Sequence, residues 1–506
     1  MILSRYTLKN ILSDHVVVPD EALFDLPEKV LQFGTGVFLR GLPDYFIDKA
    51  NRQGVFNGRI VVVESDLKGD TAAFKKQDSL YTLCVRDQVN GEKVEENIIN
   101  SSISRVLDAQ TEWKQVLDCA HNSNIQIIVS YTTEVGIKLV QEDILRHPPA
   151  SFPGKLLAFL YERFLAFGGS ERSGLVIVPT ELISNNSHRL ESIVLELAHL
   201  NGLEDNFIEW LENHNHFCNS IVDRIVPGHP EAGERERLEV ALGYTDRLIT
   251  VSEAYKLWAI EGDEKVKACL SFAQADENVV ITSNIDLYRE LKLRLLNGTH
   301  TLCSGLAFLS GFDSVSEAMG DEAFSSIIEK LMLDELAMAI PYPANHQDIF
   351  AFGEKTLERF RNPYIQHRWI NITAQYSSKM KMRCTPALLH YYQQQETVPE
   401  VFALGFAAYL YFMKAIKQLD GQFYGEWNGI AYQIQDDQAE VFCKRWNSLS
   451  VEELVGEVLR DKAYWGAELN RLPGFQEAVT EKLNTIVHHG AREAINAVYS
   501  KKEVTV

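Results

Sequence analysis

Four short runs of nearly continuous apolar residues constrain this chain more than any other feature. Val30, Leu31 and Phe33 make the first, and RIVVVESD (59–66), NIQIIVSYTTEVGI (124–137) and SGLVIVPTELIS (173–184) follow. Between them apolar residues recur at helical spacing, at Leu42, Phe46, Ile47 and Ala50 and again in KLLAFLYERFLAF (155–167). A strand that is apolar on both faces must be covered on both, and helices alternating with such strands supply the cover for a parallel sheet. Beyond residue 186 the pattern becomes helical, interrupted by one strand at NVVITSNI (278–285). From there AFSSIIEKLMLDELAMAI, VFALGFAAYLYFMKAI and VEELVGEVL keep a period of about 3.6 with almost no strand signature. The expected organisation is a Rossmann-like α/β domain over 1–287 and a helical domain over 288–506.

The first strand runs into Gly34-Thr35-Gly36 where a helix begins. Glycine lets a backbone approach a pyrophosphate, and a helix start offers free N–H groups. The third glycine of the usual fingerprint is replaced by Leu39, and a G-x-G pair alone marks a tight turn as readily as a cofactor. The second strand ends in Glu64 and Asp66, the place where ribose hydroxyls of NAD are held and where a carboxylate repels the extra phosphate of NADP. The same acids also suit the start of a solvated loop. Arg40 either reaches phosphate oxygens or pairs with Asp44. Thr132, Thr133 and Glu134 follow a strand whose C-terminal end should face the cofactor, or they simply end it. NAD is the expected cofactor.

KLRLLNGTH (292–300) places a lysine, an asparagine and a histidine in a run that otherwise reads as core. On an ideal helix Lys292, His300 and Asn297 fall at roughly 0°, 80° and 140°, and Lys292 and His300 lie ~12 Å apart along the axis. Convergence on one small group then needs a break in the helix, and Gly298 is a place for it. Taken alone, the three residues also suit a snorkelling lysine, a helix-end asparagine and a core histidine.

K-L-R-L-L-N-G-T-H resembles the K-x-x-x-x-N-x-x-H signature of the mannitol dehydrogenase, or long-chain polyol dehydrogenase, family. G-T-G-V-F-L-R is similar to that family's G-x-G-x-F-x-R turn, which adds Phe38 to Gly34, Gly36 and Arg40 as cofactor-binding candidates. T-T-E-V-G-I (132–137), P-T-E-L-I-S-N-N (179–186), V-D-R-I-V-P (222–227) and F-R-N-P-Y-I-Q-H (360–367) agree in order and spacing, and several look most like the family's hexuronate-reducing branch. The resemblance implies a zinc-independent dehydrogenase in which Lys292 is the acid–base group. Asn186 and Asn297 would polarise the reacting oxygen, and His300 would bind a substrate hydroxyl. Asp223 and Lys379 match further active-site positions. Asn371 stands where the mannitol enzymes carry an arginine and Arg289 where they carry a glutamate, which argues against a plain polyol as substrate.

A uronate is an anion, and this chain has a formal charge of −21. That charge disfavours nucleic acid and anionic membranes, so an anionic substrate needs a local basic island. Residues 359–383 supply one: Arg359, Arg361, Arg368, Lys379, Lys381 and Arg383, with no Asp or Glu among them. Lys379, with Arg361 or Arg368, is expected to bind the carboxylate; each cation alone also suits an ordinary surface pair. The expected reaction is reversible reduction of a ketohexuronate. Another ketohexuronate, a neutral ketose, a nucleotide-binding regulator without turnover and a metal-dependent sugar-acid lyase are the alternatives. Seven scattered cysteines without a C-x-x-C pair, and His214-Asn215-His216 and His488-His489 without a third ligand, predict neither disulfides nor a metal. No apolar run reaches the ~18 residues of a membrane span, and the charged start MILSRYTLKNILSDH is unlike a signal peptide, so a cytoplasmic protein is expected.

Overall fold

The computed structural model describes residues 1–503 except 12–14, 66–70, 90, 133–135, 228, 231 and 366. The chain forms two compact units, one of Met1–Asp87 with Lys93–Ile285 and one of Gln88–Glu92 with Asp286–Val506.

The first unit is built on a six-stranded parallel sheet. Its strands are β1 (Glu28–Phe33), β2 (Arg59–Glu64), β3 (Ile103–Asp108), β4 (Ile127–Ser130), β5 (Val176–Pro179) and β6 (His216–Phe217), in the order β3-β2-β1-β4-β5-β6. β1 is central, with Leu31 opposite Val61 of β2 and Ile128 of β4. Its alternate side chains serve opposite cores. Val30 packs with Phe46 and Trp258, while Leu31 and Phe33 pack with Phe159 and Leu190. That two-sided burial is why the strands read as unbroken apolar runs. Helix α1 (Val37–Gly41) and helix α2 (Pro43–Arg52) follow β1, and α2 buries Phe46, Ile47 and Ala50. Helices α3 (Phe152–Phe167) and α4 (Asn186–Leu200) cover the other face. Local signals fix the ends of α3. Ser151 accepts from Gly154 N at 3.0 Å, Pro153 sits in the first turn, and Gly168 closes the helix in the left-handed region.

The segment after residue 186 holds more strand than its sequence suggests. Ser220–Asp223 runs antiparallel to Leu257–Glu261, which pairs in parallel with Val279–Thr282. Tyr81–Val89, Glu92–Asn100 and Thr250–Ser252 form a further sheet.

The second unit is mainly helical around one large core. Helix α5 (Asp286–Leu291), a π-helical stretch over Lys292–Gly298, and helix α6 (Thr299–Leu309) follow one another directly. Helix α7 (His346–Phe360) and helix α8 (Thr385–Gln394) lie farther along, and helix α9 (Glu400–Phe412) is apolar all round and almost wholly buried. Gly405 lets α9 approach α6 closely, since a Cβ there would stand 2.9 Å from the Leu302 carbonyl. The helical expectation missed a three-stranded antiparallel sheet, Lys417–Leu419, Gln422–Trp427 and Ile430–Ile434. Its turns are Asp420-Gly421 and Asn428-Gly429, all four residues with positive φ, the combination that a tight hairpin requires. Among the described residues no helix is long and apolar enough to cross a membrane.

Candidate active site

In the first unit a cavity of about 880 Å³ opens at the C-terminal ends of β1 and β4, where the strand order reverses. In sheets of this kind that crevice is where ligands bind. Gly34, Thr35 and Gly36 line it. Gly34 has φ +125°, and a Cβ there would stand 2.9 Å from Leu39 Cδ1 and 3.0 Å from the Tyr131 carbonyl, so only glycine fits. Leu39, in place of the third glycine, is buried against that turn. The cavity is lined by Arg40, Lys138, Lys155, Arg235 and Arg247, and by no carboxylate among the described residues.

Arg40 is buried, its Nη1 donating to the Leu248 carbonyl and its guanidinium lying 5.5 Å from the Tyr81 ring centroid. It makes no ion pair with Asp44, whose carboxyl burial pushes up to about 8. Of the two readings of Arg40, the pairing one is therefore not realised. Phe38 is half-buried and packs on Tyr131 with ring centroids 4.7 Å apart. Glu64 is buried at the end of β2, and Ser65 rather than Glu64 lines the cavity. Asp66, Thr133 and Glu134 lie outside the described residues. Thr132 lines the cavity and is held by Glu181, which accepts from its N at 2.9 Å and its Oγ1 at 3.1 Å. Glu181 lies in the quoted P-T-E-L-I stretch, but only the fold reveals its task. Asn186 is buried, and its Nδ2 donates to the carbonyls of Pro179 (3.0 Å), Glu181 (3.1 Å) and Ser220 (3.1 Å). Its amide thus stitches the end of β5 to the strand Ser220–Asp223, which Asp223, also buried, terminates.

In the second unit Lys292 opens the π-helical stretch and Asn297 lies near its end. A π turn closes i→i+5 instead of i→i+4, so residues five apart come to stand one above the other. The ~140° that separates Lys292 from Asn297 on an ideal α-helix is thereby narrowed, and His300 follows three residues on in α6. The helix loosens over the whole of Lys292–Gly298 rather than at Gly298 alone.

A second π stretch, Met380–Cys384, packs beside the first. Its cause is legible. Pro386 has no N–H to give the Met382 carbonyl and its ring crowds that carbonyl, so the regular ladder fails there. Arg294 supplies the missing donor, its Nη1 reaching the carbonyls of Met382 and Arg383, both at 2.8 Å, while its Nε pairs with Glu290 at 2.9 Å.

His300 is buried in an aromatic cage. Its ring stacks on Phe360 (4.3 Å, 12°) and meets His367 edge-on (4.8 Å, 82°), and its Nε2 has no hydrogen-bond partner among the described residues. Burial first, then His367 and the nearby charges of Arg383, Arg359 and Lys379, hold it well below the ordinary histidine range. His367 is pushed down to about 4 by burial, Lys379 and Arg359. The basic island therefore divides. Arg361 pairs with Glu329 and Arg368 with Asp313, all four side chains well exposed. Arg359, Lys379 and Arg383 act on the histidines instead. Sequence reasoning named Arg359 and Arg383 only as members of the basic island and His367 only within F-R-N-P-Y-I-Q-H, and gave none of the three a place beside His300. Arg289 pairs with Asp286. Among the described residues no cluster of three or more His, Cys, Asp or Glu side chains is placed to hold a metal.

Residues 28–272 match the mannitol dehydrogenase Rossmann domain and residues 284–487 the mannitol dehydrogenase C-terminal domain. The chain is 38% identical over 486 residues to an altronate oxidoreductase of Halalkalibacterium halodurans, covering 94% of each chain. It is 37% identical over 476 residues to one of Bacillus subtilis, covering 93% of this chain and 95% of that one. Among solved structures, Pseudomonas fluorescens mannitol 2-dehydrogenase in ternary complex with NAD and D-mannitol shares the fold at TM-score 0.75 and 22% identity, over 99% of this chain and 100% of that one. A D-sorbitol dehydrogenase in substrate-free form does so at 0.78 and 18%, over 98% and 100%.

Proposed function

The chain belongs to the mannitol dehydrogenase family, and on that premise we propose that it is an NAD-dependent oxidoreductase interconverting D-tagaturonate and D-altronate. The π-helical stretch that carries Lys292 and Asn297, with His300 three residues on, is the observation that supports this reading. The names of the altronate oxidoreductase relatives support the choice of a sugar acid.

The cavity of the first unit fits a dinucleotide on three counts. It lies at the strand-order reversal, its Gly34 turn leaves no room for a side chain, and its lining is cationic, as a pyrophosphate requires. Gly34, Gly36, Thr132 and Arg40 are the residues assigned to hold it. NAD, when bound, supplies the hydride chemistry.

The proton chemistry belongs to the second unit. In reduction Lys292 gives its proton to the ketone oxygen as that oxygen gains negative charge, and the Asn297 amide donates to the same oxygen. In oxidation the neutral lysine takes the hydroxyl proton. A preorganised donor of this kind is worth about 2.7–4 kcal/mol in the transition state. Neutral His300 offers its unpartnered Nε2 to a substrate hydroxyl. Asn186, with its amide committed to three carbonyls, is assigned to positioning the strand that ends at Asp223, and Asp223 to a further substrate hydroxyl. Lys379 is assigned to the carboxylate.

The test is loss of NADH absorbance with D-tagaturonate, D-fructuronate and D-fructose offered separately. D-tagaturonate is expected to be turned over fastest. A preference for D-fructose would remove the acid from the reading, and NADH binding without any turnover would leave a nucleotide-binding regulator.

A further inference from the structure

Arg224 follows the strand Ser220–Asp223 and is buried, and its donors go to backbone carbonyls of two other segments. Nη1 donates at 2.6 Å to the carbonyl of Gly41, the last residue of α1. Nε and Nη2 donate to the Glu253 carbonyl at 3.0 and 2.8 Å. The guanidinium also lies 4.8 Å from the ring centroid of Tyr45, in α2. Two further contacts tighten the junction. Val226 fills the space that a Gly41 side chain would take, since a Cβ there would stand 2.8 Å from Val226 Cγ2. Ile225 N donates to the Glu253 carboxylate at 2.6 Å, and Glu253 N returns a bond to the Ile225 carbonyl at 3.2 Å. The cofactor turn holds the same segment from its other end, because Arg40 donates to the Leu248 carbonyl and the strand Thr250–Ser252 joins Leu248 to Glu253.

We propose that Arg224 is a positioning residue that couples the cofactor turn to Asp223, so that NADH and the sugar acid strengthen each other's binding. The proposal rests on the assignments above, NADH at the Gly34 turn and a substrate hydroxyl at Asp223, and adds the connection between them. Helix α1 has five residues, little more than one turn, so it moves as one piece, and a cofactor that fixes its start also fixes the Gly41 carbonyl. Asp223 directly precedes Arg224, so a hydroxyl held there fixes the other side of the same guanidinium. A planar fork bonded on both sides has one arrangement that serves both, and the ligand that binds first has already ordered it for the second. Such coupling is reciprocal.

The experiment measures the Kd of NADH by fluorescence titration with and without saturating D-altronate, the reduced sugar, which cannot react with the reduced cofactor. Turnover of D-tagaturonate is measured on the same preparation. In the wild type D-altronate is expected to tighten NADH binding at least about fivefold. Arg224→Lys is expected to bring that ratio within about twofold of unity while Kd for NADH alone changes by less than about threefold, because one ammonium cannot span the Gly41 and Glu253 carbonyls in the arginine's geometry. Gly41→Ala, whose Cβ meets Val226, is expected to act in the same direction and serves if the arginine variant does not fold. Tyr81→Phe removes the bond that Tyr81 Oη gives the Arg40 carbonyl at 2.7 Å and leaves Arg224 in place, so it should weaken NADH binding equally with and without D-altronate and keep the ratio. A wild-type ratio near one in a protein that turns over D-tagaturonate overturns the coupling. So does a ratio that Arg224→Lys and Gly41→Ala both keep, or one that Tyr81→Phe loses as fully as they do. A protein that does not turn over D-tagaturonate overturns the reading beneath the proposal.

Discussion

Replacing Arg294 by methionine is expected to damage the second unit far more than the loss of one side chain at its surface would. The Arg294 side chain is 6% exposed, and its partner Glu290 is also mostly buried, with 14% of its side chain exposed. Removing one member of a buried ion pair strands the other, at roughly 3–5 kcal/mol. The two carbonyl bonds to Met382 and Arg383 are charge-assisted, and Pro386, having no N–H, cannot replace the one to Met382. For a unit of this size a loss of that order lowers the melting temperature by roughly 6–20 °C. The assay is scanning calorimetry together with kcat and KM for NADH at 25 °C. Arg294→Lys should recover only part of the loss, since an ammonium cannot bridge both carbonyls and Glu290 with the same geometry. Adding Glu290→Gln to Arg294→Met should recover part as well, by removing the stranded charge. Because Arg294 ties the π turn carrying Lys292 to the one following Lys379, kcat should fall while KM for NADH holds. An Arg294→Met protein melting within about 2 °C of the wild type, with kcat unchanged, would refute the reasoning.

Gly34→Ala places a Cβ against Leu39 and the Tyr131 carbonyl at a φ of +125°, and is expected to weaken NADH binding by more than about tenfold in a fluorescence titration; binding at wild-type strength would exclude this turn from the cofactor site. Glu335 caps α9 by accepting from Val401 N (2.9 Å) and Phe402 N (2.8 Å), and burial raises its carboxyl to about 7. A raised folded-state value favours the protonated form. Its contribution is therefore full below the unfolded value near 4.5 and is lost as pH rises through about 7, a change of roughly 3 kcal/mol. The stability difference between wild type and Glu335→Gln should shrink by that order between pH 5 and pH 8 in urea titrations, and parallel curves would contradict it. His367 has the opposite sign. Its depressed value gives stability above about 6.5 that is lost as pH falls towards 4, so wild type and His367→Asn should converge in stability on acidification.

The parallel sheet was legible because its strands are buried on both faces, and Gly34 was legible because the turn admits no other residue. Three kinds of feature were not read from the sequence. The hairpin strands Gln422–Trp427 and Ile430–Ile434 carry a clear signal in Asp420-Gly421 and Asn428-Gly429, but it is local and sits within an otherwise helical text. The π turn at Lys292 has no sequence period of its own, so an ideal helix sets Lys292 and Asn297 farther apart than the π-helical backbone does. The π stretch Met380–Cys384, by contrast, announces itself through Pro386. Charge partners depend on contacts far along the chain. Arg361 finds Glu329 and Arg368 finds Asp313, both across exposed pairs, while Arg383 reaches Thr301 beside His300. Glu181 likewise gained its role only when β4 and β5 came side by side.

The central claim is that Lys292 moves the proton, and kcat of Lys292→Ala, with the dissociation constant for NADH measured on the same preparation, tests it most directly. The account predicts a fall in kcat with D-tagaturonate of roughly 10²–10⁴-fold with NADH binding unchanged. A variant that keeps kcat within about threefold of the wild type would contradict it.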